Sequence, residues 1–212
     1  MVRVAIFVDG ANMFYAQQRH LGWFIDWKRL LDRLTKGKTL YNAFYYTAVN
    51  PNRTNDETFY RFLTNVGYTV RRKPLKRIID PETGTFTDRA NLDVEMVVDM
   101  FNTLPLYDEA ILCTGDSDFE RAVELLRSKG KVITVVGTHG MMSIELRNAS
   151  DVYVDLADWR ESIERAPAAQ PGSTPALNHS RSPGIAGPAR GAARGAEPVQ
   201  VLEGTGSAEQ RP

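Results

Sequence analysis

The chain has 212 residues, with 26 Lys+Arg set against 26 Asp+Glu, 42% hydrophobic and 25% charged. That balance excludes a strongly polybasic binder and an acidic disordered chain, so any nucleic-acid surface must be a local patch. A single cysteine, Cys113, and three scattered histidines, His20, His139 and His179, exclude a disulfide scaffold and a zinc finger.

The first apolar run, Val4 to Val8, ends directly at Asp9 and is too short for a signal peptide. It predicts a strand over Val2 to Val8. A weakly patterned helix follows around Met13 to Gln18, and then Trp27, Leu30, Leu31 and Leu34 trace a helical face behind Asp26 as N-cap. Ala43 to Tyr46 reads as the next strand, Phe59, Phe62, Leu63 and Val66 as a helix stopped by Gly67, and Tyr68 to Val70 as a strand. The stretch up to Phe86 reads as an inserted hairpin ahead of Asp93. Val94, Val97, Val98 and Phe101 repeat the helical spacing, as do Phe119, Ala122, Val123 and Leu126 before Gly130. Ala110 to Cys113, Val132 to Val136 and Val152 to Val154 complete the strands. Such alternation implies an α/β sandwich with a mostly parallel central sheet. No apolar run approaches the roughly 18 residues of a membrane span, and a cytoplasmic location is expected.

Composition shifts after Arg165. Residues 167 to 212 hold 7 Pro, 7 Gly, 9 Ala and 4 Ser and no aromatic residue. A segment of that kind buries too little apolar surface to offset its ordering entropy. The expected organisation is one domain over 1–165 and a disordered Pro/Gly/Ala-rich tail over 166–212.

Acidic residues gather where a parallel sheet places its functional crevice, beyond the carboxyl ends of the strands. Asp9 follows the first strand, Asp116 and Asp118 follow the strand Ala110 to Cys113, and Asp93 opens a helix. If the strands ending near Asp9 and Cys113 are neighbours, these carboxylates face one another. Two such charges at roughly 4 Å repel by about 1 to 4 kcal/mol, depending on the effective dielectric. A hard divalent ion such as Mg²⁺ or Mn²⁺ relieves that repulsion and supplies an electrophile for phosphate chemistry. Asn12 and Ser117 add neutral hydrogen-bonding groups, and Gly10 and Gly115 allow close approach. Capping or turn duty is the competing reading for any one aspartate.

The segments Asp9-Gly10-Ala11-Asn12, Leu92-Asp93-Val94, Thr114-Gly115-Asp116-Ser117-Asp118-Phe119, and Ser143 to Leu146 leading to Ala149-Ser150-Asp151 resemble the NYN domain of LabA-type proteins, in the PIN-like nuclease group. The resemblance spans roughly residues 2 to 158. It implies a PIN-like three-layer sandwich and a metal-dependent ribonuclease site, with Asp9, Asp93, Asp116 and Asp118 as acidic ligands and Asn12 as an accessory polar residue. This chain carries Ala90-Asn91-Leu92 where the family often has Lys-Gly-Val, so that if this Lys holds substrate phosphate, either Arg89, one position away, substitutes for it or the activity is altered.

Arg71, Arg72, Lys73, Lys76 and Arg77 place five positive charges within seven residues. Together with Arg89 and Ser117 they are candidate RNA contacts, because Lys and Arg bind phosphate without reading sequence. Protection of a sheet edge is the alternative. Tyr45, Tyr46 and Tyr68 offer either base-stacking surface or half-buried strand packing. Cys113, Trp23 and Trp27 read as core, Met141-Met142 as a loop packed on the core, and His139 as a side chain able to approach substrate. The leading function is a divalent-metal-dependent ribonuclease acting on single-stranded or structured RNA. The alternative is a catalytically weak RNA-binding or regulatory module that keeps the PIN-like shape. A phosphatase ranks lower because position 11 is Ala, and the dinucleotide fingerprint Gly-x-Gly-x-x-Gly is absent.

Overall fold

The computed structural model describes residues 1–49, 56–79, 86–89 and 91–166, with backbone only for residue 56 and the segments 76–79 and 86–89. Six strands form the central sheet: β1 (Arg3–Asp9), β2 (Thr39–Val49), β3 (Tyr68–Pro74), β6 (Glu109–Cys113), β7 (Val132–Gly137) and β8 (Val152–Asp155). β4 (Lys76–Ile79) and β5 (Phe86–Arg89) make a separate antiparallel ribbon. The helices are α1 (Gly10–Tyr15), α2 (Trp27–Leu34), α3 (Asp56–Val66), α4 (Asp93–Asn102), α5 (Glu120–Ser128), α6 (Ile144–Ala149) and α7 (Arg160–Ile163). The expected tail lies outside the described residues apart from Ala166, and so do the hairpin tip and Ala90.

The central sheet has the order β3-β2-β1-β6-β7-β8, and every neighbouring pair is parallel. β1 buries both faces by simple alternation. Val4, Ile6 and Val8 join a core with Trp27, Leu30, Leu31 and Leu63, which α2 and α3 supply. Ala5 and Phe7 face the other core, with Met96, Met100, Val123, Leu126 and Leu146 from α4, α5 and α6. Helices therefore cover both faces, which is why the strands of this sheet read as continuous apolar runs rather than half-polar alternation. Phe7 is fully buried and stacks on Phe44 with ring centroids 5.4 Å apart. Truncating a side chain so placed costs about 3–5 kcal/mol.

The apolar spacing located α2, α3, α4 and α5, but in α4 it is Met96 and Met100 that are buried while Val94 and Val98 are exposed, and Phe62 of α3 is exposed as well. Asp26 caps α2 by accepting from the backbone N–H groups of Lys28 and Arg29 at 3.0 and 3.1 Å. Gly67 and Gly130 follow α3 and α5 with φ of 111° and 78°, conformations that side chains with a Cβ disfavour. Two expectations differ from the structure. α1 begins earlier, at Gly10, and passes at once into a π-helical segment over Ala16–Leu21. Its i→i+5 spacing has no i, i+3, i+4 stripe to read, which explains the weak pattern. β2 and β3 run past their expected ends, so Arg71, Arg72 and Lys73 lie within an edge strand rather than beyond it. Among the described residues no helix is long and apolar enough to cross a membrane.

Candidate metal centre

Strand order diverges between β1 and β6: β2 and β3 continue to one side, β7 and β8 to the other. Such a switch point opens a crevice at the carboxyl ends of the two strands. Asp9 is the last residue of β1 and the N-cap of α1. Just past β6, Asp116 caps a short 3-10 turn, Ser117–Phe119, by accepting from the Asp118 N–H at 3.0 Å. Asp93 is the first residue of α4 and reaches the crevice from the side. Carboxylate oxygens of Asp93, Asp116 and Asp118 all lie within 4.8 Å of one another. Asp9, Asn12, Asn91, Asp93, Asp116 and Tyr46 help to line a cavity of about 290 Å³ there.

Asp9 shares that cavity but stands outside the group of three. Its Oδ1 accepts from the Asn12 backbone N–H at 3.0 Å, and its Oδ2 accepts from the Thr114 hydroxyl at 3.3 Å. Burial pushes the Asp9 carboxyl above the usual carboxylate range against the lowering effect of the Asn12 N–H, and the negative charges of Asp93 and Asp116 push it further. The Asp93 carboxyl is raised as well, first by burial and then by Asp116, Asp118 and Glu95, while Asn91 opposes the rise. Carboxylates held together at this cost favour a cation among them.

Short links hold the crevice in shape. The Asn12 side-chain oxygen accepts from the Gly115 N–H at 3.1 Å, tying α1 to the β6 turn. The buried Thr114 hydroxyl also accepts from the Asp116 N–H at 3.3 Å, so one side chain touches both aspartates. A Cβ at Gly115 would collide with the Met141 backbone carbonyl, so only glycine lets the two loops pass. Ser117 is exposed at the start of the 3-10 turn, beside Asp116 and Asp118. Thr114 belongs to the Thr114-Gly115-Asp116-Ser117-Asp118-Phe119 segment. Nothing in its local spacing marks a hydroxyl that must reach back to β1.

The basic run has carboxylate partners. Arg71 pairs with Asp99 at 2.9 Å, Arg72 with Glu57 at 2.6 Å, and Lys73 with Glu95 at 2.6 Å. Lys73 also donates to the Asn91 carbonyl at 2.9 Å, which anchors the start of α4 beside Asp93. The side chains of Lys76, Arg77 and Arg89 fall outside the described residues. Tyr45, Tyr46 and Tyr68 are buried rather than half-buried, so they offer no base-stacking face. Tyr46 instead donates to Asp99 at 3.0 Å, and Tyr68 to the Trp27 carbonyl at 2.9 Å. Cys113 is fully buried, which pushes its thiol up to about 12, as a core residue requires. Trp23 and Trp27 are core, Met141 packs against that same layer and Met142 against the other. Met141 reaches the metal-site cavity, whereas His139 is exposed and does not line it.

Three carboxylates with all-oxygen donors fit a hard divalent cation, and no thiolate or imidazole stands among them. The NYN domain model matches residues 3–157, and the chain belongs to the NYN domain family. A curated relative, the low amplitude and bright protein LabA of Synechococcus elongatus, is 49% identical over 172 residues, covering 80% of this chain and 91% of that protein. A crystal structure of a Vibrio parahaemolyticus protein of unknown function superposes with a TM-score of 0.65 at 26% identity, covering 77% of this chain and 96% of the other. The PIN-like nuclease family and the acidic cluster together fit a divalent-metal-dependent nuclease.

Proposed function

We propose that the protein is a ribonuclease that hydrolyses RNA phosphodiester bonds at the acidic cluster with Mg²⁺ or Mn²⁺. The convergence of Asp93, Asp116 and Asp118 oxygens within 4.8 Å, from elements distant in sequence, carries this reading. When bound, the ion supplies an activated water and offsets the charge that builds on the phosphate. Asp93, Asp116 and Asp118 hold it. Asp9 adds negative charge at the back of the cavity, its position fixed by Asn12 and Thr114. Asn12 sets the distance between α1 and the β6 turn through Gly115, and the Ser117 hydroxyl is available to a phosphate oxygen.

Phosphate contacts fall to the basic run with unequal weight. Arg72 and Glu57 are both well exposed, and such a pair is worth only ~0–1 kcal/mol, so a phosphate can replace the carboxylate. Arg71 is more committed, since Asp99 is only 16% exposed and also takes the Tyr46 hydroxyl. Lys73 serves chiefly to position α4. Lys76, Arg77 and Arg89 complete the proposed phosphate-binding set.

A panel of RNAs incubated with and without Mg²⁺ or Mn²⁺ tests the reading. Cleavage should require the ion, and Asp116→Asn should slow it roughly 10² to 10³-fold, the equivalent of about 3–4 kcal/mol of transition-state stabilisation. A wild-type protein that binds Mn²⁺ and RNA yet cuts none of them would instead establish the non-catalytic RNA-binding module.

A further inference from the structure

Five large aromatic side chains are exposed among the described residues: Phe14, Tyr15, Phe24, Tyr41 and Phe62. The first three, at 49%, 51% and 48% exposure, line a single groove of about 420 Å³. The groove adjoins the cavity of the acidic cluster: Ala11, Tyr15, Thr47 and Ala48 line both. Tyr15 therefore stands on the border between the two. Leaving three aromatic rings in water is unfavourable at about 25 cal/mol per Å² of apolar surface. A monomeric fold gathers such rings in one place chiefly where they bind something.

Two of these rings have an arginine beside them. The Arg19 guanidinium lies 5.8 Å from the Tyr15 ring centre, and Arg165 lies 5.2 Å from that of Phe24. Neither arginine has a carboxylate partner among the described residues, in contrast to Arg71, Arg72 and Lys73. Two cations free to meet a polyanion thus flank the aromatic groove, in addition to the basic run of the edge strand. Exposed rings between unpaired arginines, opening onto a metal site, match what a flexible single strand requires: faces for its bases and positive charge for its backbone. A duplex, whose bases are already stacked on one another, has nothing to offer these rings.

We propose that Phe14, Tyr15 and Phe24, with Arg19 and Arg165, form a platform on which unpaired bases of the RNA stack while the adjoining phosphate lies at the acidic cluster. This rests on the ribonuclease reading and narrows its substrate to strands with unpaired bases beside the cut. The platform selects against duplex by lacking any partner for a paired base.

The test is fluorescence anisotropy of the full-length protein with a short single-stranded RNA and with an abasic strand of equal length, using Ca²⁺ in place of Mn²⁺ and checking the strands by gel. Wild type should prefer the base-bearing strand. Phe14→Ala, Tyr15→Ala and Phe24→Ala should each weaken that binding by about 5- to 150-fold, the worth of one stacked base, and leave the abasic strand unaffected. Tyr15→Phe keeps the ring and should keep the preference. Equal affinity of wild type for both strands, with metal-dependent cleavage intact, overturns the platform and spares the ribonuclease reading. A wild type that neither binds nor cuts any strand overturns both. A photo-reactive phenylalanine at position 15 should capture the RNA. Capture of the chain's own 167–212 segment or of another polypeptide in its place would assign the groove to a protein occupant and overturn the proposal.

Discussion

Asp9 shows how a single side chain serves folding and site at once. As N-cap of α1 it satisfies a backbone N–H, and as the inner wall of the crevice it adds a charge that burial and its neighbours make costly. The two roles separate by substitution, because Asn caps a helix about as well as Asp and carries no charge. Asp9→Asn should raise the melting temperature of the metal-free protein near pH 7. The sign follows from a folded-state pKa that lies above its unfolded value: the penalty is fully present above the folded pKa and disappears as pH falls through it towards about 3.9, where wild type and variant should melt together. A variant less stable than wild type at neutral pH would show the cap, not the charge, to be dominant. Asp93, Asp116 and Asp118 were legible as an acidic cluster because each stands at a strand end or helix start, where a parallel sheet places its chemistry. The Thr114 and Asn12 links were not, since each spans more than 100 positions and depends on β1 and β6 being neighbours. Phe14 and Tyr15 were overlooked for a related reason: they belong to a helix whose pattern the π-helical segment interrupts.

At the level of elements, the edge strand β3 works as a buttress for α4. Its basic residues alternate between α4, which Arg71 reaches at Asp99 and Lys73 at Glu95, and α3, which Arg72 reaches at Glu57; Lys73 also grips the Asn91 carbonyl. Lys73→Ala should therefore weaken Mn²⁺ binding, by up to about 10-fold as judged from the usual effect of residues that position ligands. Arg72→Ala, which touches only α3, should leave it unchanged, and calorimetric titration of both variants distinguishes them. Equal effects would mean that β3 acts only through bulk charge. Read as sequence, five cations in seven residues point to phosphate binding, because charge density is visible there and ion pairing is not. The partners Asp99, Glu57 and Glu95 come from helices that only the folded chain brings alongside. Helices with an unbroken apolar stripe, α2 and α5 above all, were readable almost to the residue.

At the scale of the whole fold, apolar layers cover both faces of the sheet, and the acidic cluster gathers at its edge in the crevice between β1 and β6. The acidic cluster lines that crevice, and the aromatic groove adjoins its cavity at Tyr15. The alternation of strands and helices made the class of fold evident, and the carboxylates located the crevice. The groove was not evident, because exposed aromatic residues look like core residues until the packing is known. The proposed reaction requires a cation among the three carboxylates. A crystal of the full-length protein soaked in Mn²⁺ should show an anomalous peak bound by Asp93, Asp116 and Asp118, at oxygen distances of about 2.0–2.3 Å, and crystals of Asp116→Asn should lose or weaken it. No peak in the crevice at saturating Mn²⁺, or an undiminished peak in the variant, would contradict a metal centre at this site.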